Sequence, residues 1–241
     1  MIHPAAAQGF ARSADAYERG RPRYPQEAID LLASRLAAGA PVLDLAAGTG
    51  ALARSLHDSG FRVTAVEPVA EMRAALPAAV RALEGTAEAI PLRDGEVDAV
   101  VVGQAFHWFD GDAALAEIHR VLRSTGLLAL FWNVRVLDHP IHAAIDELIG
   151  PHRGDTPSHR SGTWRTAFDR TELFAPLEEH VLPNAQELDA DGLAARVGST
   201  SFVAALDPPA RDRVLARARA LAGDGTVTLP YRTELLIWRR T

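Results

Sequence analysis

Val42-Leu43-Asp44-Leu45-Ala46-Ala47-Gly48-Thr49-Gly50 is the stretch whose reading decides the fold. It opens as a short apolar run broken only by Asp44. It then passes through Gly48 and Gly50 into Leu52 and Leu56, which lie at helical spacing before Gly60. Strand, glycine turn and helix in that order present backbone N–H groups to a ligand at a helix N-terminus. Glycine serves there because a side chain would block the approach. The next β-branched run, Arg62 to Val66, ends in Glu67, where an acidic side chain can accept hydrogen bonds from ribose hydroxyls.

The turn alone admits two nucleotide readings. Gly48, Gly50 and Ala53, with Glu67 downstream, also satisfy the loose dinucleotide fingerprint of an NAD-dependent oxidoreductase. Asp44 separates the two. A pyrophosphate is repelled by a carboxylate at the strand end, whereas a ligand with a positive group is attracted. S-adenosylmethionine (SAM) carries an ammonium and a sulfonium and no phosphate. A strand and turn with no ligand is the remaining alternative.

Outward from this stretch, strands and helices alternate. A helix is expected from Gln26 to Leu36, with Ile29, Leu31, Leu32 and Leu36 on its stripe. Another runs from about Val69 to Leu76, and a strand from Val80 to Leu83. Val97 to Val102 is an apolar run interrupted only by Asp98. Asp112 is read as the N-cap of a helix carrying Leu115, Ile118, Val121 and Leu122, ended by Gly126. Leu127 to Trp132 is the next strand. The strands are apolar on both faces, as in a parallel sheet covered by helices. After Asn133 the pattern changes. Residues 134–172 read as helical around a Gly/Pro/Ser/His-rich loop at 150–163, a strand is placed at 177–183, and helices at 191–197 and 209–222. Val227 to Trp238 alternates as a last strand.

Composition removes much chemistry. The chain of 241 residues has no cysteine, and all 25 of its Lys+Arg residues are arginine. Thiol nucleophiles, cysteine-held metals, lysine Schiff bases and a lysine phosphate loop are therefore excluded. Bases must come from His, Asp, Glu or Tyr, since arginine stays protonated. A net charge of −6 argues against a nucleic-acid surface. No apolar run is long enough to span a membrane, and the N-terminus lacks the basic-then-apolar order of a secretory signal, so the expected location is cytoplasmic. Oligomeric state is not legible.

Several motifs, spaced in order, carry a resemblance. They are Leu43 to Gly50; Val66-Glu67-Pro68; Gly85-Thr86-Ala87-Glu88 with Ile90-Pro91; Gln104 to Phe109; Phe131-Trp132-Asn133; and, near the N-terminus, Tyr17, Arg21-Pro22 and Tyr24-Pro25. The chain resembles a class I SAM-dependent methyltransferase of the type 11 small-molecule branch, and within it the trans-aconitate methyltransferase-like proteins. Two departures stand out: Ala46 replaces the motif's first glycine, and Thr86 stands where many members have Asp.

The resemblance implies an α/β, Rossmann-like, seven-stranded sheet, mostly parallel with the last strand antiparallel, helices on both faces and a helical cap. It divides the chain into a lid segment (1–25), a SAM-binding core (26–133), an acceptor-side helical region with one core strand (134–225) and a final strand (226–241). The implied cofactor is SAM, with S-adenosylhomocysteine as product. Asp44 and the backbone of Ala46, Ala47, Gly48, Thr49 and Gly50 would hold the methionine part. Glu67, followed by Pro68, would bind the ribose, and Met72, Ala87 and Glu88 would border adenine. Gln104 would sit at the crevice beyond the fourth strand. Met72 also lies on an apolar helix stripe, where core packing is an equal alternative, and the alternative for Glu88 is a solvated loop charge.

The implied reaction is in-line displacement of a methyl group onto a small-molecule acceptor, a carboxylic acid or a hydroxyl, without nucleic-acid or membrane partners. The protein supplies positioning and excludes water. A carboxylate acceptor needs no base; a hydroxyl does, and His107 is the candidate, or else a packing residue. Phe106, Trp108 and Asn133 are expected near the acceptor, and Tyr17, Arg21 and Tyr24 in a lid or an exposed segment. A non-catalytic SAM-binding protein stays open. His139 with His142, and His152 with His159, lack the carboxylates that would complete a metal site. Arg211, Arg213, Arg217 and Arg219 read as a solvated face.

Overall fold

A computed structural model describes residues 20–241. The elements, in chain order, are α1 (Gln26–Ala33), β1 (Pro41–Leu45), α2 (Ala51–Asp58), β2 (Arg62–Val66), α3 (Ala70–Ala74), β3 (Arg81–Leu83) and β4 (Val97–Gly103). They continue with α4 (Gly111–Val121), β5 (Leu122–Arg135), α5 (Pro140–Ile149), α6 (Thr166–Arg170), β6 (Phe174–Leu188), α7 (Ala190–Gly198), α8 (Ser201–Ala204), α9 (Pro208–Ala222) and β7 (Val227–Arg240). The strands form one seven-stranded sheet in the order β3-β2-β1-β4-β5-β7-β6. The pairs among β1 to β5 are parallel. The order reverses between β1 and β4, which makes the carboxyl ends of those strands the switch-point crevice of an open α/β sheet.

Strand parity explains the core. Val42, Val63, Ala65, Ala99, Val101, Ala129 and Phe131 join one buried cluster with Ile29 and Leu32 of α1 and Leu52, Ala53 and Leu56 of α2. The alternate residues Leu43, Leu45, Val100, Val102, Leu128, Leu130 and Trp132 have no exposed surface either. Both faces are thus covered, and each such aliphatic side chain contributes roughly 1.5–3 kcal/mol by leaving water.

The chain divides into two compact units. One comprises residues 24–133, 157–182 and 233–241 and holds the cluster just described; the other takes in 134–156 and 183–232. The second has its own core, in which Leu148 and Ile149 of α5 pack with Leu193 and Val197 of α7, Val214 and Ala218 of α9, and Tyr231.

Several boundaries differ from the sequence reading. Asp110, not Asp112, caps α4, its carboxylate accepting the Ala113 N–H; Asp112 pairs instead with Arg170 at 2.9 Å. The helix stops at Val121, before Gly126, because Leu122 already pairs with Val97. The extra residues before Leu127 form an irregularity in the β4–β5 register. Within 134–172 the expected loop at 150–163 does separate α5 from α6, carrying short 3-10 turns at 150–152 and 159–161 with another at 163–165, but β5 runs on to Arg135 before the first helix. The strand placed at 177–183 extends over 174–188, and α8 had no counterpart in the reading. Tyr17 and most of the 1–25 segment lie outside the described residues.

Candidate functional site

The carboxyl end of β1 carries a buried acid. Asp44 is 1% exposed. Its carboxylate accepts the Ala53 N–H at the start of α2, while Oδ2 is buried with no hydrogen-bond partner. Burial pushes the Asp44 carboxyl up to about 8, the Ala53 N–H opposing and the Glu67 charge adding to the rise. A buried acceptor without a partner is costly unless a ligand satisfies it.

Glu67, closing β2, is also buried. Its Oε2 accepts the Gly48 N–H at 2.8 Å and its Oε1 the Val69 N–H at 2.9 Å, tying the glycine turn to the neighbouring strand. Burial raises its pKa, and the Val69 and Gly48 N–H groups and the Arg73 charge restrain the rise. Each oxygen keeps a second lone pair for a hydroxyl donor.

Gly48 and Gly50 take φ of +58° and +85°. Ala46 is held at +58°, a conformation costing a residue with a Cβ roughly 1–2 kcal/mol. Gln104, just beyond β4, is likewise at +60°, its N–H bonded to the Phe131 carbonyl at 2.9 Å. Strained backbone therefore sits beyond the ends of two adjacent strands, a distribution characteristic of functional sites.

Around this turn, Thr49, Met72 and Ala87 are buried and Ala47, Pro68 and Glu88 half-buried. Glu88 is not a solvated charge only: its Oε1 accepts the Asp110 N–H at 3.1 Å. The segment after it is gripped from α4. Glu117 accepts the Ile90 N–H at 2.9 Å, and Arg120 donates to the Ile90 and Leu92 carbonyls at 2.9 and 2.8 Å while pairing with Glu117. Sequence reading missed this grip, although the Glu-x-x-Arg spacing on one helix face could have signalled it.

At the carboxyl ends of β4 and β5 the residues are aromatic. Phe106 is buried among Phe109, Trp164 and Phe168, with ring centroids 5.4, 6.2 and 5.0 Å away. The His107 ring lies 5.0 Å from Trp108 and 5.4 Å from Trp132. The Asn133 carboxamide oxygen accepts the Thr233 hydroxyl at 2.6 Å. Tyr24 meets Phe131 edge-on at 5.4 Å, and its hydroxyl would lie 2.7 Å from a Cβ at residue 103, so Gly103 allows that approach. Arg21 belongs to the other unit, where it donates to the Ser199 carbonyl at 2.9 Å. Trp132, Trp164 and His159 were not singled out as site residues from sequence, although Trp132 stood within a quoted motif; the structure brings them together.

The remaining histidines and arginines divide as follows. No trio of His, Asp or Glu able to hold a metal ion occurs among the described residues. His142 is buried, with Nε2 2.8 Å from the Pro230 carbonyl. Arg213, Arg217 and Arg219 are exposed on α9, and Arg219 pairs with Asp191 at 2.8 Å. No described helix is long and apolar enough to cross a membrane.

Comparison with known proteins gives this geometry a context. Residues 43–130 match the family model described as a methyltransferase domain. An uncharacterized methyltransferase of Mycobacterium bovis is 41% identical over 237 residues, covering 93% of this chain and 92% of the relative. A malonyl-[acyl-carrier protein] O-methyltransferase of Pectobacterium atrosepticum is 38% identical over 130 residues, about half of each chain. Among solved structures, one described as a type II methyltransferase from Anaeromyxobacter dehalogenans superposes with a TM-score of 0.68 at 27% identity, covering 91% of this chain and 97% of that one. The dinucleotide-dehydrogenase reading of Gly48, Gly50 and Ala53 is thereby set aside.

Proposed function

Since the chain belongs to the methyltransferase family, we propose that it transfers a methyl group from SAM to an oxygen of a small-molecule acceptor. The methyl donor is SAM. The observation that carries the reading of the donor site is the buried, unpartnered Asp44 Oδ2, beside Glu67 and the left-handed turn at Ala46, Gly48 and Gly50. A carboxyl pushed up by burial regains its charge when a cation arrives, and the SAM α-ammonium is such a cation. Glu67, already fixed by two backbone N–H groups, has lone pairs for the ribose hydroxyls. Buried Met72 and Ala87 and half-buried Glu88 would border adenine, and Gln104 would line the crevice at the end of β4. These residues fit the donor in charge and in hydrogen-bonding capacity.

The oxygen acceptor is supported by the Pectobacterium relative, whose name places the methyl on oxygen. SAM supplies an activated methyl group. The chain's residues hold donor and acceptor in line and keep water out, which is where most of the acceleration of a direct displacement lies. Calorimetry with SAM, S-adenosylhomocysteine and NADH tests the donor site. SAM and its product should bind at micromolar concentrations and NADH should not. Glu67→Ala should weaken SAM at least tenfold. Tighter NADH than SAM would sink the reading. Labelled SAM incubated with a metabolite extract then identifies the acceptor, and label appearing only in macromolecules would remove the small-molecule class.

A further inference from the structure

We propose that His159 is the base that deprotonates a hydroxyl acceptor and that Glu234 is its positioning residue. The inference rests on the methyl-transfer reading and deepens it by naming the acceptor's proton and where it goes. His159 lies in the loop that sequence reading left as a Gly/Pro/Ser/His-rich connection, yet the loop is tightly built. The Ser158 hydroxyl accepts the Arg160 N–H, the Ser161 hydroxyl donates to the Ser158 carbonyl at 2.8 Å, and the Trp164 indole N–H donates to the His159 carbonyl at 3.1 Å. The imidazole packs on Trp132 with centroids 4.3 Å apart and stacks on Trp164 at 5.6 Å and 23°.

Its Nε2 stands 3.5 Å from Glu234 Oε2, with both side chains about four-fifths buried (19% and 22% exposed). Trp132 directly follows Phe131, whose partner in the register is Gly103 at the end of β4. His159 is therefore packed at the carboxyl edge of the sheet, in the same compact unit as Asp44, Glu67 and His107. A ring nitrogen of His159 thus faces a carboxylate, the arrangement in which a base is oriented by a third group.

A second observation points to a ligand here. Trp132 has no exposed surface, and its indole Nε1 has no hydrogen-bond partner among the described residues. An acceptor oxygen in this cluster would satisfy that donor, as buried indole N–H groups usually require. The step balances without a further reactant. As the acceptor oxygen forms its bond to the methyl carbon, the carbon–sulfur bond breaks and its electron pair returns to sulfur. The hydroxyl proton passes to His159 Nδ1, and Glu234 faces the imidazolium through Nε2. Other charged or titratable groups around these rings, among the described residues, include His107, with its ring 5.4 Å from Trp132, and Arg165, whose guanidinium lies 4.6 Å over Trp164.

The test uses the full chain, tritiated SAM and a panel of phenols and aliphatic alcohols, each beside the matching carboxylic acid. Wild-type protein should methylate hydroxyl compounds, with kcat rising as pH increases through a single ionisation and then levelling. His159→Asn should lower kcat at least 100-fold and abolish that limb while SAM affinity by calorimetry stays within twofold, which shows the variant is folded. Glu234→Gln should lower kcat about three- to tenfold while SAM affinity stays within twofold, since the imidazole loses the group that orients it. His107→Asn should leave the limb in place. The proposal is overturned if His159→Asn keeps kcat within threefold with the limb intact. It is also overturned if the protein binds SAM but methylates only the acids or no hydroxyl compound. Failure to bind SAM at all would instead fall on the donor-site reading.

Discussion

Asp44 and Ala46 occupy neighbouring places on the chain but are constrained by different physics. Ala46 takes the backbone conformation that its replaced glycine would adopt without cost. Ala46→Gly should therefore raise stability by about 0.5–1 kcal/mol, read as a shift of the urea midpoint at unchanged slope. Ala46→Val should lower it. Asp44 is constrained by electrostatics. Its folded pKa, about 8, exceeds its value of 3.8 in the absence of structure. The fold thus favours the neutral carboxyl, an advantage fully present below about pH 4 and lost as pH rises through 8. Asp44→Asn should make the protein more stable at pH 8–9 by about 2–4 kcal/mol. The same substitution should weaken SAM, because the ammonium needs the ionised form. Calorimetry should find wild-type affinity tightening up to tenfold per pH unit between 6 and about 7.5. It should then level as the ligand's own α-amino group approaches its range near 7.7–8.0. Asparagine should flatten that limb. Asp44 was legible as a candidate site residue because a charge in an apolar strand has few structural explanations. His159 was not, because nothing in a polar loop announces that it will fold back onto a tryptophan far earlier in the chain.

Helix α4 works both as cover for the sheet and as a clamp. Its buried side, Ala114, Leu115, Ile118 and Val121, was readable as a helical stripe. Its outer side holds the segment after Glu88 through Glu117 and Arg120, whose guanidinium pKa is raised by the hydrogen bonds it donates to Glu117 and Asp94. Lysine would keep the charge and lose the planar fork that reaches two carbonyls and two carboxylates together. Arg120→Lys should cost about 1–2 kcal/mol of stability, discounted for a partly exposed network. It should also raise the SAM dissociation constant three- to tenfold, because Ala87 and Glu88 precede the loosened segment. An unchanged affinity would show that the clamp does not set the adenine border. β1, β4 and the Leu127–Trp132 part of β5 were legible because they are apolar and largely buried on both faces, whereas β3, with Arg81 and Ala82 exposed, showed only as a short run. Beyond Asn133 short 3-10 turns and long strands of mixed burial replace that pattern. β6 alternates between half-buried and exposed residues over most of its length, and only its middle read as a strand. The α4–β5 junction was misplaced because Gly126 looked like a helix stop, whereas pairing with Val97 had already ended the helix at Val121.

At the scale of the whole molecule, the two compact units carry separate burdens of buried charge. The unit holding the glycine turn accommodates Asp44 and Glu67, whose neutral forms burial favours. The other accommodates His142. Burial lowers the His142 pKa from 6.5 to about 4, the Pro230 carbonyl opposing and the charges of Arg135, Arg196 and His139 adding to the fall. A depressed histidine pKa gives stability that is present above 6.5, where both states are neutral, and is lost as pH falls toward 4, where the unfolded chain takes up a proton the folded one refuses. Asp44 works in the opposite direction, its cost diminishing over the same acid range. Between pH 6.5 and 4 the two contributions should partly cancel, leaving wild-type stability flatter than either alone. His142→Gln keeps a donor for the Pro230 carbonyl and removes the titration. Its stability relative to wild type should therefore rise by about 2–3 kcal/mol as pH falls from 6.5 to 4. Asp44→Asn should show the reverse trend over that interval, its advantage over wild type shrinking as the solution becomes more acid. Urea unfolding of the three proteins at half-unit pH steps measures both slopes. Parallel curves for wild type and His142→Gln would mean that His142 is already charged in the folded chain, with water or a rearranged Pro230 carbonyl compensating it.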